Sequence, residues 1–286
     1  MKRTMSFVVC GLLTATGVAQ KVESFGVFGG FNFPFTIDQG LQKDPRFYGR
    51  FTIRESPFGI NYGYDNVGFG FVLTPSMIKV GQQFTIRNTV GGEIGKRDVQ
   101  MSYVSLPVAL KIHLNDLAFF RLSLVAAVNF DYLLKGQEVF THFAGKVKYP
   151  ASVRVPAEPG YEQVYDGVFI PEVSNLVYVS KENFRPFQLS AGLGLRSDFD
   201  LNDHWSINFD GRANFGVFDP RKPSYTDQLR NGVDVPDLPG QRREVYLSVA
   251  IGFAHIIIIK EKFKSRSSSL PRGVIAPQRL NKKPKG

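Results

Sequence analysis

Between Val245 and Phe253, the large apolar residues Val245, Leu247, Val249, Ile251 and Phe253 alternate strictly with Tyr246, Ser248, Ala250 and Gly252. Successive side chains of a strand point to opposite faces, so one face of this stretch is continuously oily. The same alternation recurs in long segments separated alternately by tight turns and long polar loops. That is the pattern of a β-barrel whose outer face meets hydrocarbon.

Period-two patterning and turn residues together give about eight strands, so the expected fold class is all-β, a closed antiparallel transmembrane β-barrel with long extracellular loops. Strands are expected at about 24–35, within 46–62, and at 67–84, 100–113, 118–135, 184–199, 204–218 and 245–253. The fourth directs Val104, Leu106, Val108, Leu110 and Ile112 outward. The fifth sets Phe120, Leu122, Leu124, Ala126, Val128, Phe130 and Tyr132 on one face, with Arg121, Ser123, Asn129, Asp131 and Lys135 on the other. Tight turns are expected at Tyr64-Asp65-Asn66, at Leu114 to Leu117 and at Leu201-Asn202-Asp203, and long loops at 36–45, 85–99, 136–183 and 219–242. Two places fit less well. Arg54 to Pro57 interrupts the second strand, and Thr74-Pro75 to Val80 shifts the outward register of the third from odd to even positions, as a bulge at a barrel rim would.

The N-terminus suggests the compartment. Lys2 and Arg3 precede a short apolar stretch from Met5 to Val18, and Gly17-Val18-Ala19 offers small residues where a signal peptidase reads. The expected organisation is a signal peptide at 1–19, an outer-membrane barrel at 20–259 and a basic, disordered periplasmic tail at 260–286. Cys10 is the only cysteine and lies in a poor lipobox, so the mature chain has no disulfide or thiolate-metal chemistry. With the short turns and both termini on the periplasmic side, the long loops face outward from the cell.

Charge is concentrated at the C-terminal end. The net charge is +10, yet the tail carries Lys260, Lys262, Lys264, Arg266, Arg272, Arg279, Lys282, Lys283 and Lys285 against Glu261 alone, which is +8; the signal supplies the other +2. The body is therefore close to neutral, and the basic composition does not imply a nucleic-acid-binding domain. Ser267-Ser268-Ser269, Pro271, Pro277 and Pro284 oppose regular structure in the tail. It is read either as a periplasmic contact for acidic protein, peptidoglycan or an anionic membrane face, or as a solvated spacer.

Inward ionisable residues, Lys111, Arg121, Asp131, Arg196, Asp198, Asp210 and Arg212, form the candidate site. An eight-stranded interior is just wide enough for side chains to fill. Both signs are present, as buried charges require, so the set reads as a paired lumen network, with a proton or ion path as the alternative. Nucleophilic catalysis needs a base within reach of a hydroxyl, and His113, His142, His204 and His255 are scattered, so no catalytic residue is assigned. No metal-ligand spacing or phosphate loop accompanies them, and no metal or cofactor is expected. Phe33, Phe35, Tyr132, Phe199 and Trp205 read as interfacial aromatics. Tyr161 and Tyr165, in the longest loop, are either carbohydrate-stacking or solvated.

Four short motifs carry a resemblance: Phe28-Gly29-Gly30-Phe31-Asn32, Leu73-Thr74-Pro75, Ser105-Leu106-Pro107-Val108-Ala109-Leu110-Lys111 and Asp131-Tyr132-Leu133-Leu134-Lys135. In these the chain resembles the PorT-like outer-membrane β-barrel proteins of the Bacteroidetes lineage, over roughly Phe25 to Phe253. The resemblance implies a barrel in the outer membrane and a part in type IX protein secretion, with secretion-complex partners. Unlike that family, which usually stops at its last strand, this chain continues through Ile256-Ile257-Ile258-Ile259 into the basic tail.

Overall fold

The computed structural model describes residues 21–117, 119–231 and 237–259; the expected signal peptide and basic tail lie outside them. Within them eight strands close on themselves. These are β1 (Lys21–Pro34), β2 (Arg54–Asp65), β3 in two segments (Phe69–Leu73 and Ser76–Val80), β4 (Glu93–Leu117), β5 (Phe120–His142), β6 (Phe187–Asn202), β7 (Trp205–Gly216) and β8 (Val245–Ile259). Each pairs antiparallel with its sequence neighbour. The ring is completed by β1 against β8, from Lys21 opposite Ile259 to Pro34 opposite Tyr246. Closure leaves no sheet edge in the ring, which lets strands cross hydrocarbon with their backbone groups paired. No described helix is long and apolar enough to cross a membrane.

The outer face is a belt of exposed apolar side chains. Phe25, Val27 and Phe31 on β1, alternate residues from Val104 to Ile112 on β4, Val128 and Phe130 on β5, and Leu247 to Phe253 on β8 all face outward. A patch of this extent on a folded chain marks contact with lipid. Aromatics gather at both ends of it: near the short turns Trp205 stacks on Phe253 at 4.8 Å and Phe120 meets Phe199 at a tilt, also at 4.8 Å, while Tyr132 meets Phe187 at 5.1 Å near the long loops.

Small residues make the closing seam possible. Inward positions of β8 are Ser248, Ala250, Gly252 and Ala254, opposite Asn32, Gly30, Phe28 and Gly26 of β1. A Cβ added at Gly26 would lie 2.2 Å from the Phe253 carbonyl oxygen, and one at Gly30 would lie 2.1 Å from that of Val249. Here the coiled strands come too close for any side chain, which explains the glycines at positions 26 and 30 of β1.

Several boundaries differ from the sequence reading. Odd residues stay outward throughout β3: Phe71 and Leu73 before the break, Met77 after it, with Ile78 and Val80 buried. The register against both β2 and β4 is unchanged across Thr74-Pro75, so there is no bulge there. Pro75 lacks an N–H, but its carbonyl accepts from Ile60 at 3.1 Å, and the Thr74 N–H donates to Pro107 at 3.2 Å. Ile78 and Val80 looked lipid-facing because they are apolar; they point inward because the upper lumen is itself an apolar core.

Arg54 to Pro57 begin β2, and its register against β1 shifts there, from Phe58 opposite Gly29 to Glu55 opposite Phe31; the chain leaves the strand altogether at 51–53. Phe47–Arg50 is a separate strand outside the ring, paired with Gln83–Arg87. β4 runs on through Asn115 and Asp116, and Leu117 opposite Phe120 closes that hairpin one step later than expected. A bulge does occur on β5, where Ser102 faces Lys135 but Tyr103 faces Leu133. Beyond it the faces exchange, so Lys135 is exposed, not inward, while Glu138 becomes inward.

The expected loops at 85–99 and 136–183 are largely structured. β4 and β5 extend past the lipid belt, flanked by Gln83–Arg87 on one side and Val173–Val179 on the other. A three-stranded sheet of Gly145–Val147, Gly167–Ile170 and Glu162–Val164 stands beside them. Helix α1 (Gln39–Lys43) is capped by the Asp38 carboxylate, which accepts from the N–H groups of Gly40 and Leu41. Helix α2 (Pro223–Asn231) turns Tyr225 and Leu229 into the structure.

Candidate functional site

The lumen side chains lie in strata, around a cavity lined by Asn129, Arg196, Asn208 and Arg212 and below it a vestibule at the short-turn end lined by Asp65, Arg121 and Asp198. Near the short turns, Arg121 contacts Asp116 at 3.1 Å and Asp65 at 3.4 Å; Lys111 lies 2.7 Å from Asp65 and 3.5 Å from Asp198. Arg196 then bridges Asp198 at 2.9 Å and Asp210 at 3.6 Å, and Asp210 is also held by Arg212, whose Nε donates at 2.6 Å. Six of the seven inward residues proposed from sequence thus fall in one alternating chain. Asp65 and Asp116, assigned from sequence to turns, belong to it as well, because β2 and β4 each run further than their apolar patterns suggest.

Asp131 does not join this chain. Its carboxylate accepts hydrogen bonds from Ser105 and, at 3.1 Å, from Ser190. It belongs to a second stratum, whose other members are neutral amides and hydroxyls. Asn129 donates to Ser190 at 2.9 Å and to Asn214 at 3.0 Å; Asn214 donates to Ser248 at 3.1 Å; Ser248 donates to Asn32 at 2.7 Å; and Asn32 donates to Ser56 at 3.1 Å. This belt runs almost around the barrel. Buried polar groups must find partners, and here each strand supplies one to the next, leaving Asn129 Oδ1 without one.

Above the belt the interior turns apolar. Ile78, Val80, Val99, Met101, Tyr103 and Leu133 from the barrel pack with Phe184, Val179, Leu41 and the α2 residues Tyr225 and Leu229. The long-loop segments therefore fold down as a stopper, continuous with the barrel core.

A second ionic cluster tops the stopper. Arg242, fully buried, donates from Nε to Asp38 at 2.6 Å and from Nη1 to Glu138. Glu138, equally buried, also accepts from Arg97 Nε at 2.8 Å, and Arg97 reaches Asp237 at 2.7 Å. Arg221 holds Asp219 at 3.0 Å and lies 3.4 Å from Asp38. Burial raises the affinity of Asp38 for its proton, but Arg242 and Arg221 outweigh that effect and hold its carboxyl below the ordinary range. Sequence reading missed this cluster because its members sit in segments read as loops. The available signal was the alternation continuing past Leu134 once a bulge is allowed.

Glu244, just before β8, is the exception among the cap charges. Its Oε2 accepts from the Thr36 hydroxyl at 2.7 Å, whereas its buried Oε1 has no hydrogen-bond partner. Burial, only partly offset by Arg242 and the Thr36 hydrogen bond, pushes its carboxyl up to about 7 from an ordinary 4.5. A folded-state pKa above the unfolded value gives stability that is fully present below the unfolded pKa and is lost as pH rises through the folded one. Glu244→Gln is therefore expected to unfold like the wild type at pH 4. At pH 8 it should be more stable by roughly 3 kcal/mol. Urea unfolding in detergent at the two pH values measures this.

Among the histidines, one has a hydroxyl partner: His113 Nδ1 lies 2.8 Å from Ser123 Oγ, with Nε2 3.5 Å from Asp65. This corrects the expectation that none would. The arrangement has the residue types of a catalytic triad, but Ser123 has no exposed surface and Asp65 is engaged by Lys111 and Arg121. A nucleophile closed to substrate does no chemistry, and the group reads as lumen packing. The described residues contain no cluster of three metal-ligating side chains.

Residues 18–220 match the family described as outer membrane protein beta-barrel domain. Among solved structures, Ail, the attachment invasion locus protein of Yersinia pestis, is 11% identical with a TM-score of 0.32, covering 82% of this chain and 98% of that one. Ail in complex with the heparin analogue sucrose octasulfate gives 10% identity and 0.32, over 82% and 99%. OprG from Pseudomonas aeruginosa gives 11% and 0.35, over 83% and 97%. Scores this low carry no functional argument. No curated protein sequence matches the chain.

Proposed function

The chain belongs to the outer membrane protein β-barrel domain family and resides in the outer membrane, and from that premise we propose that it is a non-catalytic, non-conducting component of an envelope complex. The observation that carries this reading is the blocked interior: beyond a vestibule open at the short-turn end, charge chain, amide belt, apolar stopper and ionic cap succeed one another along the lumen, with a cavity between the charge chain and the stopper. A barrel without a passage acts through its surfaces. The charge network, including Arg196, Asp198 and Lys111, then serves to hold the wall strands in register.

The resemblance to PorT-like barrels supports a place in type IX secretion, with the termini in the periplasm and the cap outside. In that orientation the basic residues from Lys260 to Lys285 lie where they meet a periplasmic partner. Affinity purification from intact envelopes tests this, comparing the full chain with one ending at Ile259, at low and high salt. The expected result is recovery of secretion-machinery subunits with the full chain at low salt. They should be released at high salt, since screening shortens to about 3 Å at 1 M, and should be absent from the truncated form. Recovery of a lone barrel under all conditions would favour a free-standing structural or adhesion protein.

A further inference from the structure

At the long-loop border of the lipid belt, β1, β7 and β8 present apolar residues: Phe35 just past β1, Phe215 and Leu247 are all exposed. The sector made by β3, β4 and β5 presents cations instead. Lys79 stands opposite Ser102, and Ser102 stands opposite Lys135, so the three occupy one row across adjacent strands. They point away from the lumen, because Val80, Met101 and Gly136, which form the adjoining row, are buried inside. Arg185 continues the row at the entry to β6. On either side of it, the Pro186 carbonyl accepts from the Leu133 N–H at 2.8 Å, and a Cβ on Gly136 would lie 3.0 Å from the Phe184 ring.

None of these three cations has a carboxylate partner among the described residues. Arg185 spends its Nε on the Arg221 carbonyl at 3.2 Å, and the lysine side chains make no hydrogen bond. Glu55, exposed at the start of β2, forms no ion pair with Lys79, and Asp98 is already held by Arg54. Neighbouring strands lie about 4.8 Å apart, so the Cα atoms of Lys79 and Lys135 are separated by about 10 Å, a span that two four-carbon side chains close around one anion. Unmatched like charges repel, and beside hydrocarbon the repulsion is poorly screened.

What lies beneath the row decides which anion fits. One outward step toward the membrane centre, Met77 faces Val104, Val104 faces Tyr132 and Tyr132 faces Phe187, all of them exposed. One outward step the other way, Gln137 donates to Gln100 at 3.0 Å, so the surface is polar there. The cations therefore stand where hydrocarbon gives way to water, the depth of a lipid headgroup. Phosphate oxygens accept readily from ammonium, guanidinium and hydroxyl groups together.

We propose that Lys79, Ser102, Lys135 and Arg185 bind the phosphate of a lipid headgroup in the leaflet at the long-loop end, with the apolar row beneath taking its acyl chains. The site lies on the outer wall, remote from the tail, and does not depend on the secretion reading.

The test is native mass spectrometry of the full-length protein released from a non-ionic detergent, titrated with phosphatidic acid, with diacylglycerol carrying the same acyl chains, and with inorganic phosphate. Phosphatidic acid is expected to bind at least tenfold more tightly than diacylglycerol and to stay bound in excess inorganic phosphate. Lys79→Gln and Lys135→Gln should each weaken it about tenfold, the effect of one charge-assisted hydrogen bond, and the double variant about a hundredfold. Lys43→Gln, which removes the same charge from an exposed position on α1, should leave it unchanged. Unboiled gel mobility, compared with the boiled form, checks that each variant is folded. Equal binding of diacylglycerol, displacement of the lipid by inorganic phosphate, undiminished binding by the double variant, or an equal loss with Lys43→Gln overturns the site.

Discussion

Gly30→Val is expected to yield no folded barrel. The new Cβ would lie 2.1 Å from the Val249 carbonyl oxygen and 2.7 Å from Ala250 Cα, and both belong to backbone that cannot rotate away. Relief requires β1 and β8 to separate, and that seam runs from Lys21–Ile259 to Pro34–Tyr246. Opening it exposes two strand edges to lipid, where unpaired backbone groups cost several kcal/mol each. Gly211→Val is the matched control, since its Cβ would meet nothing within 4 Å. Unboiled gel mobility after refolding into detergent distinguishes them: the control should run as a compact barrel and Gly30→Val as an unfolded chain. A compact Gly30→Val would mean that the seam is looser than described.

Arg242→Met carries the next largest expected effect. The side chain is fully buried, and its removal takes one cation from both Asp38 and Glu138, which are themselves almost without exposed surface. Breaking a buried pair from one side costs about 3–5 kcal/mol, because the remaining carboxylate is left in a poor solvent. Arg221 stays 3.4 Å from Asp38 and Arg97 stays on Glu138, which places the expected loss at the lower end of that range. Urea unfolding of the variant should show it. Because α1 starts on Asp38, proteolysis should first cut within 36–45 and 219–242. Unchanged stability would show that the cap is decoration on an independently stable barrel.

How much of this could be read from sequence depended on whether a strand stayed regular. β8, β4 and β6 were legible, since their outward residues alternate without interruption and lipid demands apolar groups at each. Their inward partners follow, which puts Lys111, Arg196 and Asp198 in the lumen, and the same alternation on β7 puts Asp210 and Arg212 there. Asp131 was placed inward as well, but proximity to hydroxyls instead of cations is a matter of depth in the barrel, which alternation does not encode. Lys135 failed because one extra residue at Leu134 exchanges the faces, and nothing in Tyr132-Leu133-Leu134-Lys135 announces it. Ile78 and Val80 failed for a different reason: an apolar inward residue and an apolar lipid-facing one look the same until the stopper above them is known.

The cap was beyond reach for a further reason. Arg97 and Glu138 sit on paired stretches of β4 and β5 beyond the lipid belt, and Arg242, from just before β8, reaches them only through tertiary packing. Charged residues in long connections are by default solvated, and burial of all three is decided by the loops folding over the barrel mouth.

The central claim, that the lumen is closed, is tested most directly by planar-bilayer recording of the purified full-length protein. Wild type is expected to give no steady conductance. Arg212→Met, which removes a nine-tenths-buried partner of Asp210, should lower stability without opening a current. Arg121→Met, at a more exposed position between Asp116 and Asp65, should lower stability less than Arg212→Met, because Lys111 remains on Asp65, and should open no current. A steady, ion-selective current in the wild type that disappears with Arg212→Met would contradict the account and make the charge chain a conduction path.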